Sequence, residues 1–261
     1  MKKIKTIINK EWAEVFKNRL VLFSVIFLPL ILTLLPLLTV WGMTKFPDES
    51  GEPLPPELVG EMCSGLTSNE CTMIYMLSIY TLMFMILPVM IPVTIAAYSI
   101  VGEKTTRSLE PLLATPITTI ELLLGKALAA IIPAIVVSWL AYITYALITI
   151  AMLQSQAVVD FFQEPVWFMA IFIVGPLFTL LAVCMAILIS SRVTDPRVAE
   201  QLSGLVILPV MLLVIGQSVG WLVISPEVIF LLAVGTAVVD AILIVITVKS
   251  FQREVILTRW K

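Results

Sequence analysis

Apolar residues in this chain run in long blocks and do not alternate with polar ones. Six blocks approach or exceed the length of a spanning helix: Leu20–Thr44, Met73–Val101, Gly125–Leu153, Pro165–Ser191, Leu202–Ile224 and Val228–Lys249. Crossing the hydrocarbon core takes about 20 mostly apolar residues in a helix. The pattern predicts an all-α integral membrane fold with six transmembrane helices, one transmembrane domain over residues 1–261. Several blocks exceed the minimum, which permits tilt without fixing an angle. The first block carries Pro29 and Pro36 and shows no small-residue cleavage site before Trp41, so it reads as a retained span and not a signal peptide.

Ahead of the first block, residues 1–19 place Ile4, Ile7, Ile8, Trp12, Val15 and Phe16 at helical spacing, with Lys5, Lys10, Glu14 and Lys17 on other faces. This predicts an amphipathic helix lying in the membrane interface; the plainer reading is a basic flank that only sets topology. Composition agrees with a membrane protein. The chain is 60% hydrophobic and 13% charged, where a soluble domain has about 45–50% apolar and about 25% charged residues. The net charge of −2 hides a strong sidedness. Lys2, Lys3, Lys5, Lys10, Lys17 and Arg19 precede the first span, and Lys104, Arg107 and Lys126 flank the second-to-third connection. Arg192 and Arg197 lie between the fourth and fifth spans, and Lys249, Arg253, Arg259 and Lys261 follow the sixth. Lys45 alone falls on the other side, so both termini are expected in the cytoplasm. The balance gives no indication of a nucleic-acid partner.

The polar segments subdivide the chain. Residues 45–72 form an external loop in which Pro47, Pro53, Pro55 and Pro56 disfavour regular helix. Cys63 and Cys71 in this loop form either a disulfide, if that face is oxidising, or two free thiols. Between the fourth and fifth spans, Asp195 before Pro196 is a helix start, an acceptor at the cap followed by proline at the first helical position. GQSVGWLVISPE, between the fifth and sixth spans, is too apolar for an ordinary exposed loop and reads as a short re-entrant or interfacial element, or as a tight hairpin anchored by Trp221. Pro29, Pro36, Pro88, Pro92, Pro133, Pro176 and Pro209 lie within spans, where each removes a ladder hydrogen bond.

Residues 102–124, GEKTTRSLEPLLATPITTIELLL followed by Gly125-Lys126, interrupt the apolar pattern on the basic side. A phosphate-binding loop of the form G-x-x-x-x-G-K-[ST] is excluded: Gly102 precedes Glu103, Gly125-Lys126 precedes Ala127, and Ile120 stands where the first glycine is required. The segment reads as helix, corner, helix. Arg107 and Glu110 share a face, Leu109, Leu112 and Leu113 make an apolar side, and Pro116 breaks the path. Thr118 and Glu121 then have capping-box spacing at the start of the third span. Periodicity alone leaves open whether the short helix rests on the membrane or transmits force.

This segment resembles the cytoplasmic coupling segment of permease subunits in the ABC transporter type-2 family, which show an acidic and a basic residue, then LEPLLATP, then a helix ending near GK. SSRVTDPRVAEQLSG resembles the fourth-to-fifth connection of the same permeases, particularly those similar to sodium- and drug-efflux permeases. The resemblance implies a coupling helix docking on a separate ABC ATPase, with Glu103, Arg107, Ser108, Leu109, Glu110, Leu112, Leu113 and Thr115 as its surface. It implies two ATPase subunits, which bind the ATP and Mg, and a second permease chain, identical or similar, in the plasma membrane. No cofactor is expected in this chain.

One carboxylate, Asp240, falls halfway along the sixth block. Inserting such a charge costs roughly 2.5–3.5 kcal/mol. Asp240 is either a cation or proton site or a neutral, hydrogen-bonded packing residue. An ATP-independent, ion-coupled carrier using Asp240 is the alternative function. The chain contains no histidine, and its three cysteines lack metal-ligand spacing, so neither an imidazole relay nor a metal site is expected. No nucleophile is paired with an obvious base, so the chain is not expected to be an enzyme by itself.

Overall fold

The computed structural model describes residues 2–45, 55, 58, 65–105 and 118–250. Among them the fold is helical, without strands, and six helices are long and apolar enough to cross a membrane. These are Val21–Lys45, Ser68–Glu103, Ile120–Leu153, Pro165–Ser190, Pro196–Ser218 and Pro226–Ser250, here called spans 1 to 6. Helix α1, Lys2–Val15, packs mainly against span 3 and also against span 2. The end of the bundle that carries α1 is called the α1 end below.

Span 2 is the hub. Of its most apolar window 78% is buried, against 17% for span 6. It packs broadly on spans 3 and 4. Phe23, Phe27 and Leu38 of span 1 and Phe230, Leu231 and Val238 of span 6 are exposed. Such surfaces suit lipid contact, since acyl chains are as apolar as leucine.

Local chemistry sets several boundaries. Thr118 and Glu121 form the capping box: the Glu121 N–H donates to Thr118 Oγ1 at 3.2 Å and the Thr118 N–H to Glu121 Oε2 at 2.9 Å. Asp195 accepts from the Arg197 N–H at 2.8 Å with Pro196 in the first turn, so span 5 starts at Pro196 and not at Leu202. Span 5 also ends earlier than its hydropathy suggested, at Ser218 and not at Ile224. Gly220 adopts φ 79°, which costs glycine little. The N–H groups of Trp221 and Leu222 both fold back to the Gly216 carbonyl, at 2.8 and 3.1 Å. GQSVGWLVISPE is therefore a tight connection with an exposed Trp221, with no re-entrant helix.

Three of the prolines within spans, Pro88, Pro176 and Pro209, coincide with a change of helix type, whereas Pro29, Pro36, Pro92 and Pro133 lie in continuous α-helix. A proline has no N–H for the carbonyl four residues earlier. Before Pro88 and Pro209 the orphaned carbonyls belong to Phe84 and Leu205, and both lie in 3₁₀ turns, Phe84–Ile86 and Gly204–Ile207. Before Pro176 a π-turn covers Ala170–Val174, in which the Gly175 N–H reaches the Ala170 carbonyl. The next bond of that pattern would need the missing Pro176 N–H, so the Ile171 carbonyl is freed. Trp139 of span 3 donates its indole N–H to that carbonyl at 3.3 Å. Irregular backbone inside a membrane is tolerated where neighbouring helices satisfy it, as here.

Trp139→Phe should therefore destabilise the protein by about 1–3 kcal/mol, the cost of an unsatisfied buried carbonyl. In a Pro176→Ala background, which restores the N–H, the same change should cost measurably less. Denaturation of the four proteins in micelles checks this; strictly additive penalties would count against the indole's assigned role.

Candidate functional site

Chain direction makes the 102–124 segment the link between span 2 and span 3. Arg107, Ser108, Leu109, Glu110, Leu112, Leu113 and Thr115 lie outside the described residues. What the structure describes is the frame that holds the two ends of the segment, and that frame is a cluster of buried charges.

Lys126, in the second turn of span 3, is 6% exposed. Its Nζ lies 2.8 Å from Glu11 Oε1 of α1 and 2.8 Å from Glu103 Oε2 at the end of span 2. It also donates to Ser99 Oγ of span 2 at 2.9 Å. Ser99 in turn donates to Glu11 Oε2 at 2.5 Å. Lys10 donates to Glu103 Oε1 at 2.5 Å and sits 3.6 Å from Glu14 Oε2. Glu11 and Glu103 are 2% and 4% exposed, and every oxygen of both carboxylates faces a cation or a hydroxyl. Pairing of this kind is what lets charge stay in an apolar interior.

Each element supplies its group for a local reason. Ile7, Glu11 and Val15 are the buried positions of α1, four residues apart on one face. Glu11 thus occupies a core position of the apolar stripe. Gly125 lets α1 approach: a Cβ there would stand 2.6 Å from Ile7 Cγ2. The adjacent Lys126 thereby comes within reach of Glu11. Pro133 deprives the Ala129 carbonyl of its helical donor, and Trp12 of α1 supplies one through its indole N–H at 2.9 Å. Lys3 adds a pair with Glu121 at 3.7 Å, close to the start of span 3.

Burial disfavours the charge on Lys10, but the hydrogen bond and charge of Glu103, with Glu11 and Glu14, outweigh it and raise its pKa above the ordinary lysine value. The sign follows: the pairing is fully present below the ordinary value and is lost only as pH rises through the higher folded one. Lys10 therefore stays a cation throughout the neutral range. Beside the cluster lies a cavity of about 400 Å³, walled by Glu11, Glu14 and Asn18 of the first helical region, Tyr98 and Glu103 of span 2, and Pro196 of span 5.

Of the residues singled out by sequence, Glu103 is engaged within the frame and is not presented at the surface. Cys71 is buried beside Tyr75 and is not a free thiol; Cys63 lies outside the described residues. Asp240 is 2% exposed in span 6, far along the chain from the charge cluster, on the buried stripe with Thr236 and Thr247. Lys10, Glu11, Trp12, Ser99 and Lys126 were not expected as site residues. Two signals pointed to them: an acid within the α1 stripe, and a lysine following glycine inside an apolar run.

Replacing Lys126 by Met should leave two buried carboxylates short of a partner and cost about 3–5 kcal/mol. Replacing Glu11 by Leu and Glu103 by Gln in the same protein should recover a substantial part, because no buried carboxylate is then left without its cation. Thermal unfolding of the purified chain measures both. A Lys126→Met protein as stable as the parent would show that the cluster does not hold α1.

The family model described as ABC-2 family transporter protein matches residues 5–230, which include α1 from Lys5 onward, the frame and the undescribed segment. Comparison with the curated proteins gives no match.

Proposed function

From the premise that the chain belongs to the ABC-2 transporter family, we propose that it is a permease subunit that couples its translocation path to a separate ATPase through residues 108–115. The observation that carries this reading is the frame. Glu103 and Lys126 close the two ends of the 102–124 segment against each other at 2.8 Å, and Glu11 of α1 locks onto the same ammonium. A push on the segment reaches span 2, span 3 and α1 together, because no slack separates them. Close-packed helices pass on such displacement as rigid units.

The chain carries no phosphate-binding loop, so ATP and Mg belong to the partner. Two ATPase subunits and a second permease chain, identical or similar, complete the assembly. Closure of the ATPases on ATP drives the coupling helices, and the cavity between the permeases turns from inside-facing to outside-facing. ATP biases that change only through different binding free energies in the two states. The outward direction follows the resemblance to efflux permeases. Plasma-membrane residence follows the resemblance; cytoplasmic termini follow the lysine and arginine distribution, which also puts the α1 end inside. Arg107, Ser108, Leu109, Glu110, Leu112, Leu113 and Thr115 form the docking surface, and Glu103 braces it from behind.

Glu110→Arg or Leu113→Arg should abolish capture of the ATPase by the purified permease while leaving the permease folded. Lys126→Met should keep ATP hydrolysis but lower transport per ATP by roughly 5- to 150-fold, the span of typical coupling energies. Cargo flux by the permease alone, with no ATPase present, would overturn the reading in favour of an ion-coupled carrier.

A further inference from the structure

Span 6 is almost wholly exposed apart from one stripe, Ile229, Thr236, Asp240 and Thr247, which faces span 4. Three of these four side chains are polar, in a helix whose other faces are apolar. Asp240 is 2% exposed, and neither of its carboxylate oxygens has a hydrogen-bond partner among the described residues. Span 6 packs broadly on Pro165–Met169, Ala170–Val174 and Gly175–Ser190. Those segments contain no acidic or basic side chain, and their one titratable group is the free thiol of Cys184, the neighbour of Asp240 across the seam. On its own helix the charged residues are Glu227 and Lys249. At 1.5 Å per residue they lie about 20 and about 14 Å away along the axis, beyond pairing reach.

An ionised, unpaired carboxylate cannot be kept in such a place at modest cost, whereas a neutral carboxyl group can. The geometry points to Asp240 as a proton-binding site in the seam between spans 4 and 6, whose ligand is the proton. With the seam closed the group is the neutral acid. When the seam opens to water the O–H bond breaks, the proton passes to solvent and the carboxylate remains. Opening and proton release are therefore linked: acid favours the closed seam and alkali the open one. The contrast with Glu11 and Glu103 sharpens the assignment, since the same chain supplies buried cations where it needs carboxylates charged. This inference does not rest on the coupling segment or on any ATPase, so loss of ATPase docking and loss of proton binding are separable results.

The test uses the full-length protein in lipid bilayers, with ¹³C at the side-chain carboxyl of aspartate to separate it from glutamate in the infrared spectrum. The other three aspartates, Asp48, Asp160 and Asp195, lie outside the spans. At neutral pH one protonated aspartate should be seen, lost in Asp240→Asn and lost in the parent as pH rises. If the Asn variant fails to accumulate, the titration of the parent decides alone. Cys184, 5% exposed, reports the seam. Its labelling by N-ethylmaleimide in the parent, relative to Asp240→Asn at the same pH, should rise severalfold from acid to alkaline conditions. Four ionised aspartates at neutral pH would overturn the proposal, as would a protonated signal that appears only when sodium is withdrawn. Identical labelling profiles for the two proteins would overturn the link to opening.

Discussion

A polar group inside an apolar bundle is costly unless it finds its partner in the protein, because water is not there to supply one. This constraint organises the described structure. It decides where α1 sits, since Trp12 answers the carbonyl that Pro133 leaves free at Ala129. It decides how span 3 meets span 4, since Trp139 answers the carbonyl freed before Pro176. It also decides which residues surround Lys126, whose ammonium has a partner on α1 and two on span 2. Apolar packing brings the helices together without strongly preferring one rotation. The polar pairs select one.

The consequence for motion is that the α1 end and the span 6 seam are built differently. At the α1 end, three elements converge on one cation with contacts of 2.8 to 2.9 Å, and Gly125 leaves room for Ile7 where a Cβ would clash. Separating them would expose or strand charges, so they move as one body. Span 6 touches its neighbours through a single stripe. That stripe carries Thr236, Asp240 and Thr247 beside Ile229, and neither carboxylate oxygen of Asp240 has a hydrogen-bond partner among the described residues. Rigid coupling at one place and easy parting at another are what a device needs if force enters at the segment and must appear elsewhere.

Much of the fold was legible in the sequence, because it rests on composition and short-range chemistry. The six apolar blocks became six spans, and Asp195-Pro196 and Thr118-Glu121 capped their helices through bonds two or three residues long. Failure came where hydropathy and backbone geometry diverge. Trp221, Leu222, Val223 and Ile224 are apolar, yet the helix had already ended, since the Gly220 turn and its bonds to Gly216 and Gln217 carry no hydropathic mark. The charge cluster was illegible for another reason. Glu11 and Lys126 are 115 positions apart, and each alone resembles a routine charge near a membrane boundary. Glu11's place between Ile7 and Val15 and Lys126's place after a glycine in an apolar run marked each as inward-facing, but neither signal reveals the partner.

That a core position of α1 carries glutamate, where leucine would also bury well, bears on what the contact is for. Buried ion pairs seldom stabilise more than the apolar side chains that could replace them, because desolvation consumes the attraction. Their distinctive effect is intolerance of displacement. An apolar stripe slid by one turn still meets an apolar surface. Glu11 slid by one turn would leave its carboxylate, Lys126 and the Ser99 hydroxyl all unmatched at once. If the 102–124 segment transmits force as proposed, a helix fixed so strictly to both of its ends loses no travel to slippage, and travel then matters more than added stability. Asp240, with no hydrogen-bond partner among the described residues, imposes no such fixation on span 6.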